Sequence, residues 1–351
     1  MEADLDTFLV TLYCIVDDLY KEYIGPAKPQ RRGKKVEMSD SEVLTLDLLE
    51  QWQEKRSESA FVDWVSRHWR CYFPRVLSQS AFNRRVRDLS GALAYLGPLI
   101  DQELRREMGV SSAYEALDSV PVPLMRCCRG RRHRLFADEA AIGRGGSDHE
   151  WYYGVQLLAA VSEAGTITGS VVGPAPTEER WLAEALMRWR WDSGALMPKV
   201  EELEEVLGPS YCGANSGRRK QRVGPTGPIG VQLGVGKQGQ GPYVADAGFE
   251  GEAWARHWAD HYGAVVLTRG EYEVLEPEEG RRCGHWLAGL RQVAERAFGS
   301  LLDVFNLAFP RARTYWGLLS RIAAKVAAFN ISVYINRLWK RPAYSFINPL
   351  G

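Results

Sequence analysis

The sequence predicts an α/β fold: a mixed sheet flanked by helices and preceded by an all-helical module. Three observations predict it. The first hundred residues carry helical periodicity and helix caps, strand-like runs begin only near residue 113, and strands then alternate with helices. The chain has 351 residues, 45% hydrophobic and 25% charged, which is ordinary globular usage with a sizeable core.

Taken in order, Leu5 to Tyr23 is amphipathic and stops at Gly25-Pro26. A Pro/Lys/Arg linker follows. Ser39 with Glu42 three residues on is a capping box that opens a second helix. A third covers Glu58 to Tyr72, and a fourth starts near Ser78 or Ser80 and carries Arg84, Arg85 and Arg87. Tyr114 to Val120 reads as a strand. Trp151 to Val161 and Thr166 to Val172 read as a hairpin turning at Gly165. Thr177 is placed to cap a helix over Glu178 to Trp191. Residues 206–245 contain no acid and are dense in glycine from 213 to 241; they read as a flexible basic insertion at about 206–241 that faces DNA. Beyond it come a strand at Pro242 to Asp246, a helix at Glu250 to His261 and a strand at Ala264 to Thr268. The last helices span His285 to Val304 and Tyr315 to Trp339. The division is a helical module over 1–110 and an α/β domain over 111–340.

The net charge of zero argues mildly against nucleic-acid binding, but the charge is unevenly spread. Acid-free basic clusters occur at 28–35, at 126–134 (with Arg131 and Arg132) and at 218–222 (Arg218, Arg219, Lys220), each suited to phosphate contacts. Six cysteines show neither CxxC pairs nor metal-ligand spacing, which fits reduced thiols in a cytoplasmic protein. The acidic N-terminus is unlike a signal peptide, and no apolar run is read as transmembrane. Twelve tryptophans read as core and interface anchors. A serine hydrolase finds no GxSxG. His257 and His261 lack the glutamate of a zinc metalloprotease and read as a helix-surface pair.

Three acids stand where an α/β sheet would expose them. Asp118 lies within an apolar strand, where an unpartnered charge is costly. Asp246 ends a strand before Ala-Gly-Phe, a place common for ligands and equally for turn formers. Glu295 flanks a helical apolar stripe of Leu287, Leu290, Ala294, Ala297, Phe298, Leu301 and Phe305. By spacing alone it would pair with Arg291 one turn earlier.

In these segments the chain resembles the DDE transposases of bacterial insertion sequences, which have a ribonuclease-H-like core. ALDSVPVPLMRC resembles the first catalytic strand, and EWYYGVQLLAAVSEAGTITGSVVGPAPTEER the hairpin that follows. YVADAGFEG resembles the second-Asp motif, and RQVAERAFGSLLDVFNL the third, with an Arg four residues before the catalytic Glu. The helical N-terminal third resembles the DNA-binding region of one branch. Gln156 and Leu158 stand where the family often has basic residues or His, and Leu302 and Asp303 where some branches have Lys. The two aspartates are 128 positions apart, a longer gap than in the simplest members.

The resemblance implies a ribonuclease-H-like mixed sheet with Asp118, Asp246 and Glu295 as catalytic residues and metal ligands, and Arg291 as a phosphate or carboxylate contact. In-line displacement at phosphorus suits two Mg²⁺ or Mn²⁺ ions held by hard oxygen ligands, with Asp118 bridging both. It further implies double-stranded DNA partners, namely terminal inverted repeats and target DNA, bound by Arg84, Arg85, Arg87 and the basic clusters. A homodimer and a nucleoid-associated place in a bacterial cytoplasm follow. Two alternatives stay open: a ribonuclease-H-like nuclease without strand transfer, and a domesticated non-catalytic DNA-binding protein.

Overall fold

The computed structural model describes residues 5–27, 36–52, 57–109, 112–130, 132, 135–145, 150–191, 230–232, 242–272 and 277–345. The N-terminal helices are α1 (Leu5–Leu19), α2 (Asp40–Glu50), α3 (Glu58–His68), α4 (Gln79–Asp88) and α5 (Ser90–Met108). The α2 start is the predicted capping box: Ser39 Oγ accepts from the Glu42 amide and Glu42 accepts from the Ser39 amide. Ser57 and Ser78 cap α3 and α4 in the same way from one side.

Strands β1 (Glu115–Arg126), β2 (Ala141–Gly145) and β4 (Ile167–Pro174) all pair antiparallel with β3 (Glu150–Ser162), with short helix α6 (Cys127–Gly130) after β1. Helix α7 (Glu179–Trp191) follows. Then come β5 (Gly230–Gln232), β6 (Tyr243–Val244), α8 (Glu252–Tyr262), β7 (Val266–Leu267), α9 (Pro277–Asp303) and α10 (Tyr315–Leu338). The sheet order is β5-β4-β3-β1-β6-β7, with β2 on β3 off that path. The β1–β6 and β6–β7 pairs are parallel and the others antiparallel, so the sheet is mixed as expected.

Three local expectations are corrected. Thr177 does not cap α7, because its buried hydroxyl has no hydrogen-bond partner. Within the Gly-rich stretch, Gly230–Gln232 forms edge strand β5 against β4, since backbone pairing needs no apolar side chains; the rest of 206–241 lies outside the described residues. β2 went unread because Gly143 and Gly145 dilute any strand pattern.

Alternation along the strands sends successive side chains to opposite faces. Ala116, Val120, Val122, Val155, Leu157, Ala159 and Val161 face a core shared with the N-terminal helices, α9 and α10. Leu117, Leu158, Ala160, Val171 and Tyr243 face a second core built by α7 and α8. The helical module therefore shares its core with the sheet.

Helix α10 corrects one reading: it is long and apolar enough to cross a membrane, yet 89% of that window is buried inside the fold. Its polar groups are satisfied by protein. Asn330 donates to the Gly97 and Ile167 carbonyls at 2.7 and 2.8 Å and accepts from the Ile167 amide at 2.8 Å, tying α10 to α5 and β4. His257 is likewise not on the surface. It is 7% exposed, with Nε2 3.1 Å from Glu184 of α7, because α8 turns Trp254, His257 and Trp258 inward.

Candidate active site

The strand register places the first two acids together. Glu115 pairs with Tyr243 and Ala116 with Val244. Parallel pairing stops at Ala116 and Val244, and the same offset continued two residues further sets Asp118 against Asp246. Pro121 and Pro123 lie beyond on the stretch of β1 that β6 no longer edges. The sheet opens at this point, with Asp118 and Asp246 at the mouth.

Helix α9 crosses the opening on its apolar stripe. Leu287, Ala294, Ala297, Phe298 and Leu301 are buried as predicted, while Glu295 is exposed. Arg291 does not pair with Glu295. Its Nη2 lies 3.5 Å from Asp118 Oδ2 and 3.8 Å from Asp246 Oδ2, so it bridges the two aspartates. The spacing rule fails here because the sheet offers two carboxylates to the stripe's edge, and a half-buried guanidinium takes the stronger field. Arg291 Nε is buried without a partner.

Burial raises the Asp118 carboxyl to about 6. The Ser119 amide, donating at 2.8 Å, and Arg291 oppose the shift, while the charges of Asp246 and Glu295 add to it. All three predicted acids therefore sit within one electrostatic neighbourhood, drawn from a strand, a strand end and a helix. Asp246 is also a turn former: its Oδ1 accepts from the Gly248 amide at 2.8 Å and caps a short 3₁₀ turn.

A fourth carboxylate was missed. Ser119 points to the opposite face of β1, where α7 begins, and its hydroxyl meets Glu179 Oε1. Glu179 Oε2 packs on Gly248, where an added Cβ would come within 2.0 Å of it. A side chain at Gly248 would push the Glu179 carboxylate out of this position. Gln156 closes the network. One orientation of its amide satisfies every group: it donates to the Thr177 and Ala175 carbonyls at 3.0 and 3.3 Å and accepts from Ser119 Oγ at 2.6 Å. The serine's single proton is then used, so the short Ser119–Glu179 contact requires a protonated Glu179 as donor. Burial raises the Glu179 carboxyl to about 7, with added repulsion from Asp246 and Asp118. The sequence signal was the Glu-Glu-Arg before α7, whose function depends on a Ser119 contact 60 positions away.

The basic residues divide. Arg85 is engaged by Asp40 and the Met38 carbonyl, so it braces α4 against α2. Arg84, Arg87 and Arg132 are exposed. Arg131, Arg218, Arg219 and Lys220 lie outside the described residues. The free cysteines Cys14, Cys71, Cys127, Cys128 and Cys283 form no disulfide among the described residues.

For a divalent cation the donor set fits in chemistry. Asp118 and Asp246 are hard oxygen donors that share one guanidinium, with the Glu295 charge adding to the rise of Asp118 and Glu179 reaching the site from the other face of β1 through Ser119. Among the described residues no three His, Cys, Asp or Glu side chains are already grouped to ligate an ion; Arg291 spans the gap between the aspartates. Comparison with protein-family models, curated proteins and solved structures gave no match.

Proposed function

We propose that the chain is a DDE-type DNA transposase with a ribonuclease-H-like catalytic domain. The supporting observation is convergence. Asp118 and Asp246, from distant segments, share Arg291 beside one mixed sheet, and Glu295, on the helix that carries Arg291, adds to the rise of the Asp118 carboxyl.

On this reading Asp118, Asp246 and Glu295 hold Mg²⁺ or Mn²⁺, which supplies charge stabilisation for in-line attack at phosphorus. The chain's own groups do the positioning. The Ser119 amide fixes Asp118 Oδ1, and the Gly248 amide fixes Asp246 Oδ1. Glu179, held through Ser119 and Gln156, presses on the turn that carries Asp246. Arg291 neutralises the aspartates and, once released from them, is placed to meet a DNA phosphate. Arg84, Arg87 and Arg132 extend the phosphate contacts, with a second copy of the chain bringing the other DNA end in a nucleoid-associated complex.

The test uses the full chain, DNA bearing the sequences that flank its gene, and Mg²⁺ or Mn²⁺. Strand cleavage followed by joining of the 3′ end to a second duplex is expected. Cleavage without joining selects the nuclease alternative. Full cleavage by Asp118→Asn sinks the assignment of the site.

A further inference from the structure

Of the residues the catalytic proposal uses, only Arg87 reaches the other side of α2 and α10. There a cavity of about 1340 Å³ opens between α2, α4, the start of α10 and the loop from Asp303 to Thr314. Asp118, Asp246 and Glu295 do not line it. The loop begins where α9 ends, eight residues beyond Glu295, about 12 Å along the helix axis.

The cavity has a polar floor and a basic rim. Asp47 is 6% exposed, and its Oδ2 has no hydrogen-bond partner. Beside it Lys325 donates to Gln51 Oε1 at 3.0 Å and to the Phe305 carbonyl at 2.6 Å. Arg87, Arg311 and Arg313 stand exposed at the rim, and Arg87 and Arg313 make no ion pair among the described residues. Burial raises Asp47 to about 7 and Glu50 to about 8, and Glu58 pairs with Arg321 at 3.5 Å, so the exposed Asp303 stands against Arg87, Arg311 and Arg313 at the rim. The site therefore favours an anion that also carries a hydrogen-bond donor.

An aromatic ring completes the set. Phe309 lines the cavity and is 50% exposed, with its amide anchored to the Pro123 carbonyl at 2.8 Å. Asn306, Phe309 and Arg311 all have left-handed backbones, at φ 50°, 55° and 54°. Such backbones persist where the surroundings over-determine them. The strain holds an apolar ring and a guanidinium outward.

We propose that this cavity receives an unpaired stretch of the bound DNA, with phosphates on Arg87 and Arg313, one base stacked on Phe309 and its exocyclic amine on Asp47. A base inside a duplex has both faces covered and could not stack on the ring or reach the recessed carboxyl. The proposal rests on the DNA reading above.

The test measures binding of the full chain to two labelled DNAs by fluorescence anisotropy. One is a blunt duplex. The other is the same duplex with a single-stranded overhang containing 2-aminopurine. Wild type should prefer the overhang and quench its 2-aminopurine fluorescence. Phe309→Ala should lose overhang affinity roughly five- to hundredfold and lose the quenching. Blunt-duplex affinity should be unchanged, and Phe309→Trp should restore both signals. Arg313→Ala should weaken overhang binding and leave the melting temperature unchanged. Equal affinity of wild type for both DNAs overturns this proposal and leaves the DNA reading standing; binding of neither overturns both. Equal loss on both DNAs in Phe309→Ala, or competition by polyglutamate as effective as by oligonucleotide, also overturns it.

Discussion

Glu115 and Asp118 stand three residues apart on β1 and have opposite fates. Glu115 is 1% exposed and fully matched. Arg190 donates to its Oε2 at 2.5 Å and its Oε1 at 3.4 Å, then to Tyr243 Oη at 2.5 Å and Thr168 Oγ1 at 2.8 Å. This forked pair ties α7 to β1, β4 and β6. Asp118 shares a single guanidinium with Asp246 at longer range, with Glu295 adding repulsion rather than relief. Where burial is matched charge for charge, the carboxylate braces the fold. Where carboxylates outnumber cations at an opening, their strain is held for a ligand.

The largest effect that separates the two is on chemistry. Asp118→Asn should cut strand cleavage at least ~10³-fold, about 4 kcal/mol of barrier, with circular dichroism and DNA binding unchanged. On the matched side, Arg190→Met strands Glu115 in the core and should lower unfolding free energy by about 3–5 kcal/mol in a denaturant titration. Cleavage per folded molecule should be kept. A loss under about 1 kcal/mol would erase the contrast.

A smaller effect is pH-dependent. Glu179 is raised to about 7 and Asp118 to about 6, both above ordinary carboxyl values. Between the unfolded and folded pKa values the native state binds more protons than the unfolded chain. Stability is therefore full below the unfolded pKa and falls as pH rises through the folded one. Wild type should lose melting temperature between pH 5 and pH 8, and Glu179→Gln should lose less; parallel curves would remove Glu179 from the cluster. The smallest effect on stability concerns Glu295, which is exposed. Glu295→Gln should shift stability within about 0.5 kcal/mol yet abolish cleavage. Retained cleavage would move the third catalytic role elsewhere, with Glu179 the next carboxylate to test.

Local chemistry made much of this legible in advance. The Ser39–Glu42 box, the buried face of α9 and the hairpin about Gly165 follow from spacing within a few residues, and the structure keeps them. The misreadings share one cause. Arg291 next to Glu295, His257 next to His261 and Thr177 before α7 were judged by their neighbours in sequence. Each is decided by a partner, or the lack of one, across the fold.

By itself, the sequence determined most helices and strands, though not β2 or β5, and that the sheet is mixed, because these depend on periodicity and caps acting over a few residues. Tertiary structure alone decided that Asp118 and Asp246 share a register, that Arg291 bridges them, and that Glu179 enters through Ser119. Those contacts join positions 45 to 173 residues apart, and only the packing of α7 and α9 on one sheet edge brings them within 4 Å.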